Sequence, residues 1–183
     1  MSEAAAAIRI PAGALVLLIG AAGSGKTSFA ARHFPNEVVV SSDRLRAQLG
    51  RSEADQRITT TVFERLHEIV DSRLRRALLT VVDATNTDWM HRANLIGAGR
   101  RHARPVVAIV LDLPISVCLA RNAARARSVL APVVRQQVAE VARDRDRFDL
   151  EGFAAVYRLS SVEALDRTVV EIEKGPVARA LSR

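Results

Sequence analysis

Eight consecutive residues, Gly20-Ala21-Ala22-Gly23-Ser24-Gly25-Lys26-Thr27, fit the pattern G-x-x-x-x-G-K-[ST]. Glycines at this spacing let a turn wrap so tightly that backbone N–H groups converge on phosphate oxygens, and a helix starting there adds its positive end. In such a loop Lys26 neutralises the β and γ phosphates of a nucleoside triphosphate, and the Thr27 hydroxyl is offered to Mg²⁺. Gly23, Ser24, Gly25 and Ser28 complete the expected cradle. The pattern has this meaning only between a strand and a helix. Residues 14–19 read as a buried parallel strand, and residues 26–33 as a helix that packs Phe29 and Ala30 back on a sheet.

Two carboxylates have a suggestive placement. Asp43 follows the apolar run at residues 37–40, and Asp83 ends the run at 80–83, which continues into Ala84-Thr85-Asn86. In open parallel sheets ligands collect outside the C-terminal ends of the strands. A carboxylate at that edge can take a proton from an attacking hydroxyl, the reading favoured for Asp43; the alternative is a helix cap ahead of Leu45, and the two roles can coexist. Arg46, one helical turn beyond, has the fork suited to a phosphate, or is a solvated arginine. Arg121, Arg125, Arg127 and Arg135 surround residues 128–132. His67 has no second histidine at metal-binding spacing and reads as a surface or groove residue. Cys118 reads as a small core residue, and the alternating charges of 143–147 as a solvated helical face. Trp89 and His91 could meet a base or ribose; the alternatives are core packing for Trp89 and solvent for His91.

The elements that position these groups alternate in type. Helices are expected over 54–79, 87–102, 114–121, 133–148 and 161–173, with strands over 105–113 and 154–159 besides those above. Strand–helix alternation implies an α/β doubly wound parallel sheet of five strands with right-handed crossovers. The chain of 183 residues, 49% of them apolar, suits one such domain, expected over 11–175. Residues 1–10 read as a frayed lead-in and 176–183 as a tail. No apolar run is long enough to span a membrane, Met1-Ser2-Glu3 lacks the charge of an export signal, and the single cysteine forbids an intrachain disulfide; a soluble cytoplasmic protein is expected. The formal charge of +7 rests on arginine, since Lys26 and Lys174 are the only lysines. That surface favours polyanions, nucleic acid being the commonest, though genome base composition also enriches arginine.

Taken together, residues 20–29, Ser41-Ser42-Asp43 with Arg46, Asp55-Gln56, residues 79–86, Cys118 with Arg121-Asn122, and Glu151-Gly152-Phe153 with Val156-Tyr157 resemble the 5′-hydroxyl polynucleotide kinase module of bacterial polynucleotide kinase-phosphatase RNA-repair enzymes. The resemblance extends from residue 15 to about 172. It implies a P-loop phosphotransferase with strand order 2-3-1-4-5 and a helical, arginine-bearing lid over about 121–135. It also implies transfer of the γ-phosphate of ATP, with Mg²⁺, to the 5′-OH end of RNA or DNA. Asp43 then matches the general base, Arg46 the grip on the acceptor's 3′ phosphate, Gln56 and Thr85 lesser acceptor contacts, and Arg121 and Arg125 the lid over the nucleotide. Asp83 would support Mg²⁺-bound water or a neighbouring loop. The family pattern has two lid arginines three residues apart, whereas this chain reads Arg125-Ala126-Arg127, which leaves Arg127 unassigned. GTP as donor, RNA against DNA, oligomeric state and separate phosphatase and ligase partners stay open. So do two alternatives: a small-molecule hydroxyl kinase of the same fold, and a nucleotide-binding module without turnover.

Overall fold

The computed structural model describes residues 7–49 and 56–173. In chain order these form β1 (Ala7–Ile10), β2 (Leu15–Ile19), α1 (Lys26–His33), β3 (Val39–Ser41), α2 (Ser42–Leu49), α3 (Gln56–Arg75), β4 (Thr80–Asp83) and α4 (Trp89–Arg101). There follow β5 (Val106–Leu111), α5 (Ile115–Ala123), α6 (Ala131–Asp144), β6 (Ala155–Leu159), α7 (Val162–Arg167) and β7 (Val169–Ile172).

The strand that feeds the glycine loop lies at the centre. β2 is buried at every position and pairs in parallel with β4 on one side and β5 on the other. The full parallel sheet runs β3-β4-β2-β5-β6. Counted from the strand before the loop, that is the expected 2-3-1-4-5. Alternation along β2 divides the core into two layers. Leu15, Leu17 and Ile19 pack with Val62, Leu66, Val70 and Leu74 of α3 and with Leu95 and Ile96 of α4. Val16 and Leu18 face the other way, onto Phe29 and Ala30 of α1, Ile8 and Ile10 of β1, and Leu165 of α7. Among the described residues no helix is long and apolar enough to cross a membrane.

Several expectations need correction. Residues 7–10 are not frayed: Ile8 and Ile10 are buried, and β1 pairs in parallel with β7 as a separate two-stranded sheet. The expected helix over 161–173 therefore stops at Arg167, where the β-branched run Thr168-Val169-Val170 favours an extended chain. α3 ends at Arg75, and the chain turns through Ala77 with φ of 55°. The strand expected over 37–40 starts only at Val39, after a 3-10 turn over Asn36–Val38. Residues 1–6 and the tail over 176–183 lie outside the described residues.

Candidate active site

The loop between β2 and α1 owes its path to backbone that only glycine tolerates well. Gly23 has φ of +82°, and a Cβ there would run into the carbonyl oxygen of Cys118 on α5. Gly25, with φ of 100°, is the N-cap of α1 and supplies no side chain to the first helical N–H groups, which have no intrahelical acceptor. The Lys26 ammonium folds back inside the loop and donates to the carbonyls of Gly20 and Ala21, both at 2.8 Å. Burial lowers its pKa to about 8; Asp83, the Cys118 thiol and Asp43 pull it back up, and Arg125 pushes it down. Lys26 is therefore a cation near pH 7 that has given up its water before any ligand arrives. Ser24 Oγ is fully buried beneath the loop and makes no hydrogen bond.

Thr27 Oγ1 donates to Asp83 Oδ2 at 3.0 Å, which joins the loop to the C-terminal end of β4. Both are hard oxygen donors of the kind Mg²⁺ takes, and Mg²⁺ commonly binds through one or two protein groups with phosphates and water filling the rest. The donor chemistry therefore fits the ion. Among the described residues no cluster of three or more His, Cys, Asp or Glu forms a self-sufficient metal cage.

Asp43 sits in the first turn of α2 with its side chain 72% exposed. It does not cap that helix, because the backbone N–H of Arg44 points to Ser41 Oγ at 3.5 Å instead. Arg125 Nη2 lies 3.8 Å from Asp43 Oδ2. Two adjoining cavities meet here. One, of about 540 Å³, is lined by Gly25, Lys26, Ser28, Arg121 and Leu165. The other, of about 380 Å³, is lined by Ser41, Asp43, Arg44 and Asp83. Thr27 and Arg125 line both. A larger cavity of about 950 Å³ runs between α3 and α4, past Phe63 and His91, and contains no residue of the phosphate loop.

Arg121 and Arg125 thus reach the phosphate loop from α5 and the turn after it. Asn122 braces that turn at both ends, donating to the carbonyl of Val129 at 2.7 Å and accepting its N–H at 3.0 Å. Arg127 is exposed in the same turn but lines neither cavity. Arg135 lies on α6 beside Asp112 and Arg145, away from the loop. Arg46 donates to Thr59 Oγ1 of α3 at 3.2 Å. Thr85 contributes its backbone, its carbonyl accepting the N–H of Gly20 at 3.0 Å. Gln56 is the first residue of α3; its side chain lies outside the described residues, as does Asp55. Cys118 is a core residue, 1% exposed, with its thiol pKa raised by burial. Trp89 does not join the core, being 51% exposed, and the His91 ring packs on Phe63 with centroids 4.5 Å apart.

One residue with no place in the sequence reading supports the site from behind. Arg92 is fully buried on α4 and donates to the carbonyls of Asn86 and Thr87, to Asp144 and, with two nitrogens, to Glu151. Burial would lower its pKa, but the bonded carboxylates of Glu151 and Asp144 outweigh that and raise it. Asp144, expected on a solvated face, is 1% exposed because it answers this charge. The network fixes the turn whose Thr85 carbonyl holds Gly20. The sequence signal was an arginine three and four residues ahead of Leu95 and Ile96, on the apolar stripe of α4.

A family model described as an AAA domain matches residues 15–148. Among solved structures, the chain is similar to one in the Pnkp1/Rnl/Hen1 RNA repair complex, with 21% identity and a TM-score of 0.64. The match covers 81% of this chain and 48% of that one, so this chain spans about half its length. A sugar kinase from Janibacter sp. HTCC2649 is 18% identical with a TM-score of 0.55, over 84% of this chain and 91% of that one. The Mycobacterium tuberculosis APS kinase CysC, in complex with AMPPNP and APS, is 19% identical with a TM-score of 0.50, over 85% and 92%. No curated protein sequence matches the chain. The likenesses show the fold: a P-loop kinase-like α/β domain of the phosphotransferase type, which implies nucleotide binding.

Proposed function

We propose that this chain, which belongs to the AAA domain family and has its P-loop kinase-like fold, transfers the γ-phosphate of ATP to the 5′-OH end of RNA or DNA. The observation that carries the reading is the junction of the two cavities at Thr27 and Arg125. The loop cavity suits the donor's phosphates, and the neighbouring cavity, with Asp43 on its wall, suits a hydroxyl acceptor. Asp43 accepts the hydroxyl proton as that oxygen bonds to the γ-phosphorus; the bond from phosphorus to the β–γ bridging oxygen breaks, and ADP leaves. Lys26 and the loop amides hold the phosphates, with Gly23, Ser24, Gly25 and Ser28 in the cradle. Arg121 and Arg125 close over the nucleotide, and Arg125, within reach of both cavities, offsets charge on the transferring group. Thr27 and Asp83 would hold Mg²⁺, whose bound form neutralises phosphate charge. Arg46 anchors the acceptor's 3′ phosphate, with Thr85 and Gln56 as further acceptor contacts. Supporting this acceptor are the sequence Ser-Ser-Asp-x-x-Arg at 41–46 and the arginine-borne charge of +7. A cytoplasmic setting and separate phosphatase and ligase partners accord with the reading.

A second reading has its own support. The sugar kinase and the APS kinase match along more than nine-tenths of their length, whereas the RNA repair chain matches along half. A small hydroxyl compound is therefore the competing acceptor. The test is transfer of labelled γ-phosphate to a 5′-OH oligonucleotide with Mg²⁺, run beside a free nucleoside and Asp43→Ala. We expect label on the oligonucleotide, with kcat lowered about 10²–10⁴-fold by Asp43→Ala and ATP binding retained. Equal label on the nucleoside would favour the small-molecule kinase, and no label on either a binding module.

A further inference from the structure

The phosphate loop is tied to the lid helix by a hydrogen bond that spans 115 positions of sequence: the Ala22 N–H donates to Gln137 Oε1 at 2.9 Å. Ala22 is buried, and its peptide unit is held at both ends. On the carbonyl side, Ala21 O accepts from Lys26 Nζ at 2.8 Å and from the Ser24 N–H at 3.1 Å. On the N–H side stands Gln137. A trans peptide carries its N–H and C=O on opposite edges, so fixing both edges fixes its plane.

Gln137 lies in the second turn of α6, whose first residue follows the lid turn that carries Arg125. Val134 and Val141 of the same helix are buried, and Gln137 falls on their stripe. A carboxamide on an apolar stripe must find a polar partner, and here the partner is loop backbone. At its other end α6 is fastened by Asp144 to Arg92. The helix that bears the lid is thus pinned to the β4–α4 turn at one end and to the phosphate loop near the other.

We propose that Gln137 is a positioning residue for the donor: it holds the Ala21–Ala22 peptide in the orientation that leaves Ala21 O to Lys26 and Ser24, and sets the register of α6 on the loop. A ligand phosphate competes with the loop carbonyls for the Lys26 ammonium. When Lys26 turns to phosphate, Ala21 O keeps only the Ser24 N–H, and Gln137 is what still fixes the other edge of this peptide and keeps the following N–H groups converging on the ligand. The inference rests on the nucleotide-binding reading of the loop.

The test compares Gln137→Leu, close in size but without the acceptor, with Gln137→Glu, which keeps an oxygen at the same reach. Amide hydrogen exchange at Ala22 is read without nucleotide, and donor and acceptor constants are read in the transfer assay with MgADP titrations alongside. We expect exchange at Ala22 to quicken at least about tenfold in Gln137→Leu and to stay slow in Gln137→Glu. Gln137→Leu should also weaken MgADP binding and raise the donor KM by about tenfold, with the acceptor KM unchanged. A merely structural role would lower kcat through lost folded protein and spare both KM values. Equal exchange in wild type and Gln137→Leu, or faster exchange with unchanged nucleotide affinity, overturns the proposal. Wild type that binds no nucleotide overturns the function proposed above, while the exchange comparison still decides whether Gln137 holds the loop.

Discussion

Raising the pH should weaken nucleotide binding through one residue. The Lys26 pKa of about 8 is set mainly by burial, which penalises the ammonium before a phosphate is there to receive it. The charged form is the one that binds phosphate, so the free protein is competent below pH 8 and loses competence above it. About nine-tenths of Lys26 is protonated at pH 7, half at pH 8 and about one-tenth at pH 9. The apparent Kd for MgADP should therefore rise about tenfold from pH 7 to pH 9, since it scales with the inverse of the competent fraction. Phosphate anions favour the ammonium, so binding must draw a proton from solvent: about 0.1 per nucleotide at pH 7, 0.5 at pH 8 and 0.9 at pH 9. Calorimetric titration in buffers of differing ionisation enthalpy reads that uptake directly. Terminal phosphates titrate near pH 6 and do not interfere in this window.

The same residue should act on stability with the opposite sign. Because the folded pKa lies below the ordinary lysine value, the unfolded chain binds more protons between pH 8 and that value. Stability of the unliganded protein should rise with pH across this window, and below pH 8 the buried charge costs up to about 3 kcal/mol. Lys26→Met should therefore abolish proton uptake and most nucleotide affinity while raising the urea midpoint at pH 7, by less than the full amount because the Gly20 and Ala21 carbonyls lose their donor. Proton uptake that is absent at pH 9, or that persists in Lys26→Met, would refute the assignment of this charge to phosphate binding.

Two further substitutions probe the frame around the loop. Arg92→Met leaves Asp144 with Arg143 as its remaining cation and strips Glu151 of both its bonds to Arg92, and should cost about 3 kcal/mol by urea denaturation; Arg92→Met with Asp144→Asn together should recover part of the loss. A single-variant cost under about 1 kcal/mol would mean that Arg143 and solvent satisfy that carboxylate without Arg92. Gly23→Ala forces an L side chain into a left-handed conformation and against the Cys118 carbonyl. We expect MgADP affinity to fall more than about tenfold, with about 1–2 kcal/mol of backbone strain; unchanged binding would show that the loop yields there.

What the sequence disclosed was whatever lies on consecutive residues. The phosphate loop, the buried strand before it and the helix after it are contiguous, and the strand–helix alternation sets the sheet class. β1 was missed although Ile8-Arg9-Ile10 alternates, because four residues after an alanine run are too few for a period to stand out. Its partner β7 was absorbed into a helix for the same reason, and the pairing of the two is non-local. Arg92, Gln137 and Asp144 share another signal: each is a polar residue on an inward stripe of a helix. Such a residue must be answered by another polar group, but helical periodicity does not say which. Arg92 and Asp144 answer each other across 52 positions, and the loop amide that answers Gln137 lies 115 positions away.

The register of the sheet explains why two aspartates near one cavity have different surroundings. β2 pairs Leu18 with Asp83, and β3 pairs Ser41 with Asp83, so the ends of three strands are level at the edge where the glycine loop begins. A one-residue slip of β4 would turn Asp83 to the other face and away from Thr27. Asp83 is the last residue of its strand, 5% exposed, and already accepts the Thr27 hydroxyl. Asp43 stands two residues past the end of β3, roughly one strand spacing of 4.8 Å to the side, on a helical turn that carries it into solvent. A group already engaged with the loop is poorly placed to receive a proton from an arriving hydroxyl. One that projects from the cavity wall toward solvent meets that hydroxyl first. Strand register, and where each strand stops, thus support the proposed roles of Asp43 toward the acceptor and Asp83 on the metal side.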